Sequence, residues 1–281
     1  MKSLDHVVHL VQDLEGARAS WTRLGFHVRP AATHIEIGSS NAVVMFERTY
    51  NELLCIEHAE PGLHGQYVGR FAGGEGLAHV SLTANSLAEE RARLEGMGYT
   101  PGPEGNARRA ILRPDGSTEE TDRSFLYNWQ SAHRWNSLFF SEHRKPDAIF
   151  IPEYVDHANG SRDMVRLVWL SADPAADLPY FRDSRGQEPE RTGEDGFAFR
   201  GGRGELCEVL TAQAVRARYG TLPGEAEPGA LGGYPVAMHF RVADPAATCA
   251  FFAGSGVTTA QVDGGIGVGL EAACGAVLVF E

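Results

Sequence analysis

The sequence predicts an α+β protein of four βαβββ modules, paired two by two into two domains at 1–160 and 161–281. Three observations carry this. An apolar strand followed by a capped helix recurs four times at one internal register. The four starts, at 6, 79, 166 and 237, are spaced by 73, 87 and 71 residues, room in each gap for one helix and several strands. The opening strands also alternate between an apolar and a polar face.

In the first module an extended stretch at 4–11 leads to Asp13, a candidate N-cap, and Leu14, Ala17, Trp21 and Leu24 follow at helical spacing. Gly25 ends the helix, and strands are expected at 34–37, 42–46 and 50–57. In the second, Ser86 takes the cap position, 87–94 the helix and Gly98-Tyr99 its end. Its strands are expected at 110–112, 124–129 and 148–154. His6 stands seven residues before Asp13, and His79 seven before Ser86. The third module caps its helix at Asp173, with Pro174 in the first turn. The fourth does the same with Asp244 and Pro245. Counting back seven gives Arg166 and Ala237. Later strands are expected at 196–199, 205–210, 266–270 and 276–280, separated by Gly, Pro, Asn and Asp.

Strand phase assigns the faces. Val7, Val11, Val80, Leu82, Leu167, Trp169, Met238 and Phe240 share the side that should meet the helices. The other side carries His6, His79, Ser81, Thr83, Arg166, His239 and Arg241, and should line a cavity. His9, on the apolar side, reads as a structural histidine.

Four stretches carry a family resemblance: Leu4-Asp5-His6-Val7-Val8, Leu24-Gly25-Phe26, Tyr50-Asn51-Glu52-Leu53 and Leu77-Ala78-His79-Val80-Ser81-Leu82. With Ile151-Pro152-Glu153-Tyr154, they resemble the vicinal oxygen chelate superfamily, in its glyoxalase-like branch. That superfamily includes glyoxalase I, extradiol dioxygenases, fosfomycin-resistance proteins and bleomycin-binding proteins. The likeness is strong over 1–160 and weaker over 161–281. It implies two glyoxalase-like half-barrel domains, the first cupped around a divalent metal held by His6, His79 and a glutamate. Two imidazoles and a carboxylate suit Zn, Fe, Mn, Ni or Co and leave positions open for two substrate oxygens. Glu153 is the acid of the expected strand 148–154, and so a candidate ligand and catalytic group. Glu52 fits the family's aromatic-x-Glu-Leu pattern better than Glu57 and is the other catalytic glutamate. In the second pair Arg166 and Ala237 replace both histidines, so that half reads as degenerate, a structural partner.

The second module is longer than its siblings between 100 and 146 and rich in aromatic and polar groups. Trp129, Trp135, Phe140 and Tyr154 are candidate substrate-binding residues, and His143 a candidate acid or base. His157, Arg108-Arg109 and Arg144-Lys145 are weaker candidates beside them.

A net charge of −12 argues against nucleic acid or an anionic membrane as partner. No apolar run nears the ~20 residues of a spanning helix. The N-terminus lacks an h-region and cleavage site, so a cytoplasmic protein is expected. The four cysteines form no CxxC and read as reduced core thiols. The expected function is a metal-dependent lyase, isomerase or dioxygenase acting on a small oxygen-rich substrate, in a possible homodimer. The alternative is a non-catalytic small-molecule binding protein of the bleomycin-resistance type.

Overall fold

The computed structural model describes residues 1–34, 38–57, 67, 74–129, 138–220 and 233–281. Two eight-stranded sheets organise them. The first contains β1 (Leu4–Leu10), β2 (Ala32–His34), β3 (Ser39–Met45), β4 (Tyr50–Ile56), β5 (Gly76–Thr83), β6 (Glu104–Leu112), β7 (Thr118–Asn128) and β8 (Leu138–His143), in the order β2-β3-β4-β1-β5-β8-β7-β6. The second contains β9 (Ser161–Ser171), β10 (Arg191–Gly193), β11 (Gly196–Arg200), β12 (Leu206–Thr211), β13 (Tyr234–Val242), β14 (Thr259–Val262), β15 (Gly265–Val268) and β16 (Val277–Phe280), and repeats that order strand for strand. In each sheet the opening strands of two modules pair antiparallel at the centre. The last strand of each module runs parallel beside its first. This is the expected α+β architecture of two paired half-barrels.

The helices α1 (Leu14–Arg23), α2 (Leu87–Gly96), α3 (Pro174–Arg185) and, after α4 (Ala212–Tyr219), α5 (Pro245–Ser255) complete the modules. Asp13, Ser86, Asp173 and Asp244 cap the four expected helices, each accepting an N–H of the first turn. All eight residues of the predicted apolar face lie in one buried cluster, with Trp21, Phe26, Phe46, Phe181, Phe252 and Phe280. The helix sides of both sheets thus share one core. His9 sits in it, bonded through Nε2 to the Cys274 carbonyl of the other half at 2.7 Å. Cys207 and Cys274 are buried, but Cys249 is exposed, which corrects the expectation of four core thiols.

Strands β8, β10 and β14 join those expected, and two further elements depart from expectation in ways that shape the cups. Residues 148–154 form no strand; 3-10 turns at Pro146–Ala148 and Pro152–Tyr154 take their place, and the module's last strand is β8. Two prolines, each without an N–H, cannot serve a central ladder. The segment instead folds under the first half-barrel, where Ala148, Ile149, Ile151 and Tyr154 pack on Val43, Met45, Tyr50 and Ile111. The other such element is α4, capped by Thr211. Val215 and Tyr219 press into the concave side of the second sheet against Val168, Leu170, Val236 and Val279. The second cup is stoppered by this helix. Among the described residues no helix is long and apolar enough to cross a membrane.

Candidate functional site

The first cup is built around a bulge. Leu4 pairs with Leu82 and His6 with Ser81, so Asp5 is an extra residue in β1. A bulge lets consecutive side chains reach the same side. Accordingly the Asp5 carboxylate accepts a hydrogen bond from His6 Nδ1 at 2.6 Å, with both groups buried. That bond fixes the tautomer and leaves the Nε2 lone pair facing the cup.

Arg123 of β7 donates to His6 Nε2 at 2.8 Å and reaches the Tyr50 hydroxyl at 3.3 Å. Glu52 of β4, buried, brings Oε2 within 3.5 Å of the same nitrogen. The Asn41 amide donates to Glu52, and Asn41 Oδ1 accepts from Arg109 at 2.7 Å. His34 continues the chain through Asn41 and Ser39. The His6 ring stacks on Tyr50 at 4.3 Å and meets the edge of Phe139 at 5.1 Å.

Charge states follow. Burial alone would raise the Glu52 carboxyl, but the Arg123 charge and the Asn41 bond bring it down to about 2. Burial opposes ionisation of Asp5 too, and the His143 and His6 contacts overcome it, holding the carboxyl well below the usual range. Burial pushes His6 down, so the ring stays neutral and Nε2 is a base. Burial disfavours the Arg123 cation, yet Tyr50, Glu52 and Asp5 keep its affinity for the proton above the ordinary value.

Among the described residues, His34 and Arg109 of this belt border two hollows. A space of about 10 Å³, the room of one water, lies among Asn41, Tyr50, Glu52, Arg109 and Arg123. A hollow of about 450 Å³ opens outside it along the seam of the two modules, between 31–34 and 106–110. His34, Ala107 and Arg109 line both.

The structure brings some expected residues together and not others. His6 and Glu52 meet. His143 joins them from behind, its Nε2 bonding Asp5 Oδ1 at 2.9 Å. His79 is buried on the cup side, but its ring lies against Tyr67 at 4.5 Å and Trp129 at 6.3 Å. Among the described residues its ring is linked towards His6 through Tyr127, at 6.1 Å, and Phe139, 5.0 Å further on. Trp129 therefore lines the cup near His79, and its Nε1 has no hydrogen-bond partner among the described residues. Glu153 is corrected: it projects into solvent from the 3-10 turn and joins no metal-holding cluster among the described residues. Phe140 is also corrected, since alternation points it into the helix-side core and its neighbour Phe139 into the cup. Tyr154 is spent on structure, donating to the Leu112 carbonyl at 2.8 Å with Arg29 over its ring. His157 is also structural, bonded to the Met45 carbonyl and the His27 N–H. Trp135 lies outside the described residues.

Asp5, Tyr50, Asn41 and Arg123 were not singled out from sequence. Arg123 was legible, because Arg123, Phe125 and Tyr127 alternate along one face of β7, but the expected strand begins at 124, one residue beyond Arg123.

Among the described residues the donor set around His6 does not suit a divalent ion. The His6 lone pair already receives an Arg123 N–H. Among the described residues no three His, Cys, Asp or Glu side chains stand close enough to hold a metal.

Solved structures share the fold. A hypothetical protein from Staphylococcus aureus aligns over 100% of this chain and 99% of its own, with TM-score 0.71 and 12% identity. A mutant 4-hydroxymandelate synthase from Streptomyces coelicolor aligns over 93% of this chain and 78% of its own, with TM-score 0.57 and 12% identity. A xylose isomerase-like TIM barrel/4-hydroxyphenylpyruvate dioxygenase fusion protein gives TM-score 0.55 at 17% identity, over 92% of this chain and 39% of its own. No curated protein matches the sequence. The glyoxalase-like domain family model matches residues 4–179, the whole first half-barrel and the opening of the second. With strand order, capped helices and sequence model in agreement, the chain belongs to the glyoxalase-like domain family.

Proposed function

We propose that the chain is an enzyme acting on a small, oxygen-rich organic anion in its first cup, by lyase- or isomerase-type proton transfer. The observation that carries this is the contact of His6 Nε2 with Arg123, beside Glu52. His6, oriented by Asp5, is placed to take a proton and return it. Arg123 and Arg109 are placed to hold a carboxylate and to stabilise an oxyanion formed next to it. Substrate would approach along the seam hollow, past Arg109, and draw Arg123 away from His6 as it binds. Such rotamer changes are common when a pocket fills.

The test is solvent exchange. A panel of small 2-oxo and 2-hydroxy carboxylates is incubated with protein in deuterium oxide, and C–H exchange is followed by NMR. Exchange in the wild type, lost in His6→Gln while binding persists, is the expected result. A non-catalytic binding protein is the second reading, favoured by the closeness of the inner space, about 10 Å³. It predicts binding with no exchange in either protein.

A further inference from the structure

We infer that the first half-barrel works without a resident divalent ion, with the Arg123 guanidinium serving as its cation. This deepens the reading of the cup as an active site and rests on it.

Four observations carry it. The first is position. A metal bound to His6 Nε2 would sit about 2.1 Å away along the lone pair. Arg123 donates to that lone pair from 2.8 Å. An arginine cannot leave the way by losing its proton.

The second is register. Tyr50 pairs with His6, and Glu52 lies two residues beyond Tyr50. On β8, Leu138 pairs with Val80, so Phe139 holds the place relative to His79 that Glu52 holds relative to His6. The second module thus has an aromatic ring where the first has a carboxylate. A bulge in β5, with Ala78 and His79 opposite one residue of β1, sets His79 among Tyr67, Tyr127 and Trp129.

The third is charge. Asp5 and Glu52 balance Arg109 and Arg123, and a divalent ion would add two uncompensated charges to a buried cluster.

The fourth comes from the other half. Glu208 pairs with Val168 as Glu52 pairs with Val8, and it is buried. Arg191 and Arg218 each donate to it at 2.6 Å, and Arg166 stands where His6 stands in the first half. In both half-barrels a buried glutamate answers to arginine.

The substrate class narrows with this. A metal would chelate two vicinal oxygens, whether neutral or charged. A guanidinium fork selects a carboxylate through two parallel N–H bonds. The ligand is therefore a carboxylate whose neighbouring carbon carries the reacting oxygen.

The experiment uses the full chain expressed in medium supplemented with zinc and manganese, and pyruvate as probe. Metal content is measured by mass spectrometry for wild type and His6→Ala. Pyruvate binding is measured by calorimetry before and after EDTA, and for Arg123→Met and Arg123→Lys. Expected are metal well below one equivalent and equal in both proteins, and binding unaffected by EDTA. Binding should weaken about tenfold or more in Arg123→Met, with partial recovery in Arg123→Lys. One equivalent of metal in the wild type that disappears in His6→Ala would overturn the inference, and so would pyruvate binding lost on EDTA and restored by metal. A folded Arg123→Met, checked by circular dichroism, that binds pyruvate as wild type does would also overturn it. If no carboxylate binds any variant, the active-site reading fails, whereas the metal content separately decides the role of Arg123.

Discussion

Asp5 grips His6 Nδ1 at 2.6 Å only because β1 bulges at that residue, since a regular strand would point the two side chains apart. The sequence pair Asp5-His6 is therefore a geometric device. It selects the tautomer whose Nε2 faces Arg123. The same carboxylate binds His143 on its other side at 2.9 Å, so Asp5 is shared by two imidazoles.

Asp5→Asn tests that device. The amide keeps the volume but loses the charge that orients the ring, and the same change beside a catalytic imidazole costs up to about 10⁴-fold in rate. The exchange rate of any active carboxylate should fall by up to that factor. Ring-nitrogen NMR should show His6 protonated at Nδ1 in the wild type and a mixture of tautomers in the variant. An unchanged spectrum would remove Asp5 from the mechanism.

Glu52 and Arg123 are expected to be coupled in stability. Glu52→Gln leaves Arg109 and Arg123 facing one carboxylate fewer, and removing one member of a buried charge cluster costs about 3–5 kcal/mol. The double variant Glu52→Gln with Arg123→Met removes one charge of each sign and should recover part of that loss. Urea midpoints of the four proteins give the coupling, and strictly additive losses would show that the two groups do not interact.

Acid should unfold the protein in two stages. Burial pushes His157 from 6.5 down to about 4. Between those values the unfolded chain binds a proton that the native state refuses, so stability declines as pH falls through that window. Glu52 is brought from 4.5 down to about 2, so its contribution is complete above 4.5 and is lost as pH falls toward 2. Melting temperature should be flat from about pH 7 to 8 and fall below that range. His157→Gln should reduce the first stage, which the likewise lowered His6 and His239 share, and keep the second; an identical acid slope in that variant would assign the first stage to those groups alone.

The architecture was legible because repetition is a one-dimensional signal. Caps at Asp13, Ser86, Asp173 and Asp244 follow each opening strand within two or three residues, and the eight apolar-face residues all reached one core. The site was half legible. His6 and Glu52 belong to local motifs, whereas Arg123 reaches them from a strand 117 residues away in sequence, and no local pattern encodes that approach. Glu153 and Phe140 failed for simpler reasons. Prolines moved the first out of the sheet, and a one-residue phase difference moved the second to the other face, with Phe139 taking its place. Bulges at Asp5 and at Ala78-His79 are invisible in sequence, because they arise from the pairing of two strands.

The second cup offers the last test, because its degeneracy has a visible cause. α4 fills it through Val215, fully buried, and Tyr219, whose hydroxyl bonds His239 Nε2 at 2.7 Å. Val215→Ala removes two buried methyl groups and should cost about 2 kcal/mol. Val215→Asp places an unpaired charge in the same apolar cluster and should expel the helix. Because α4 packs on the concave side of the second sheet, pyruvate binding at Arg123 should survive Val215→Asp at a temperature where the protein remains folded. Hydrogen exchange should show protection lost over Ala212–Tyr219 and kept over β1 and β4. Protection lost in both half-barrels would mean that the stopper supports the whole fold, and that the two cups are not independent.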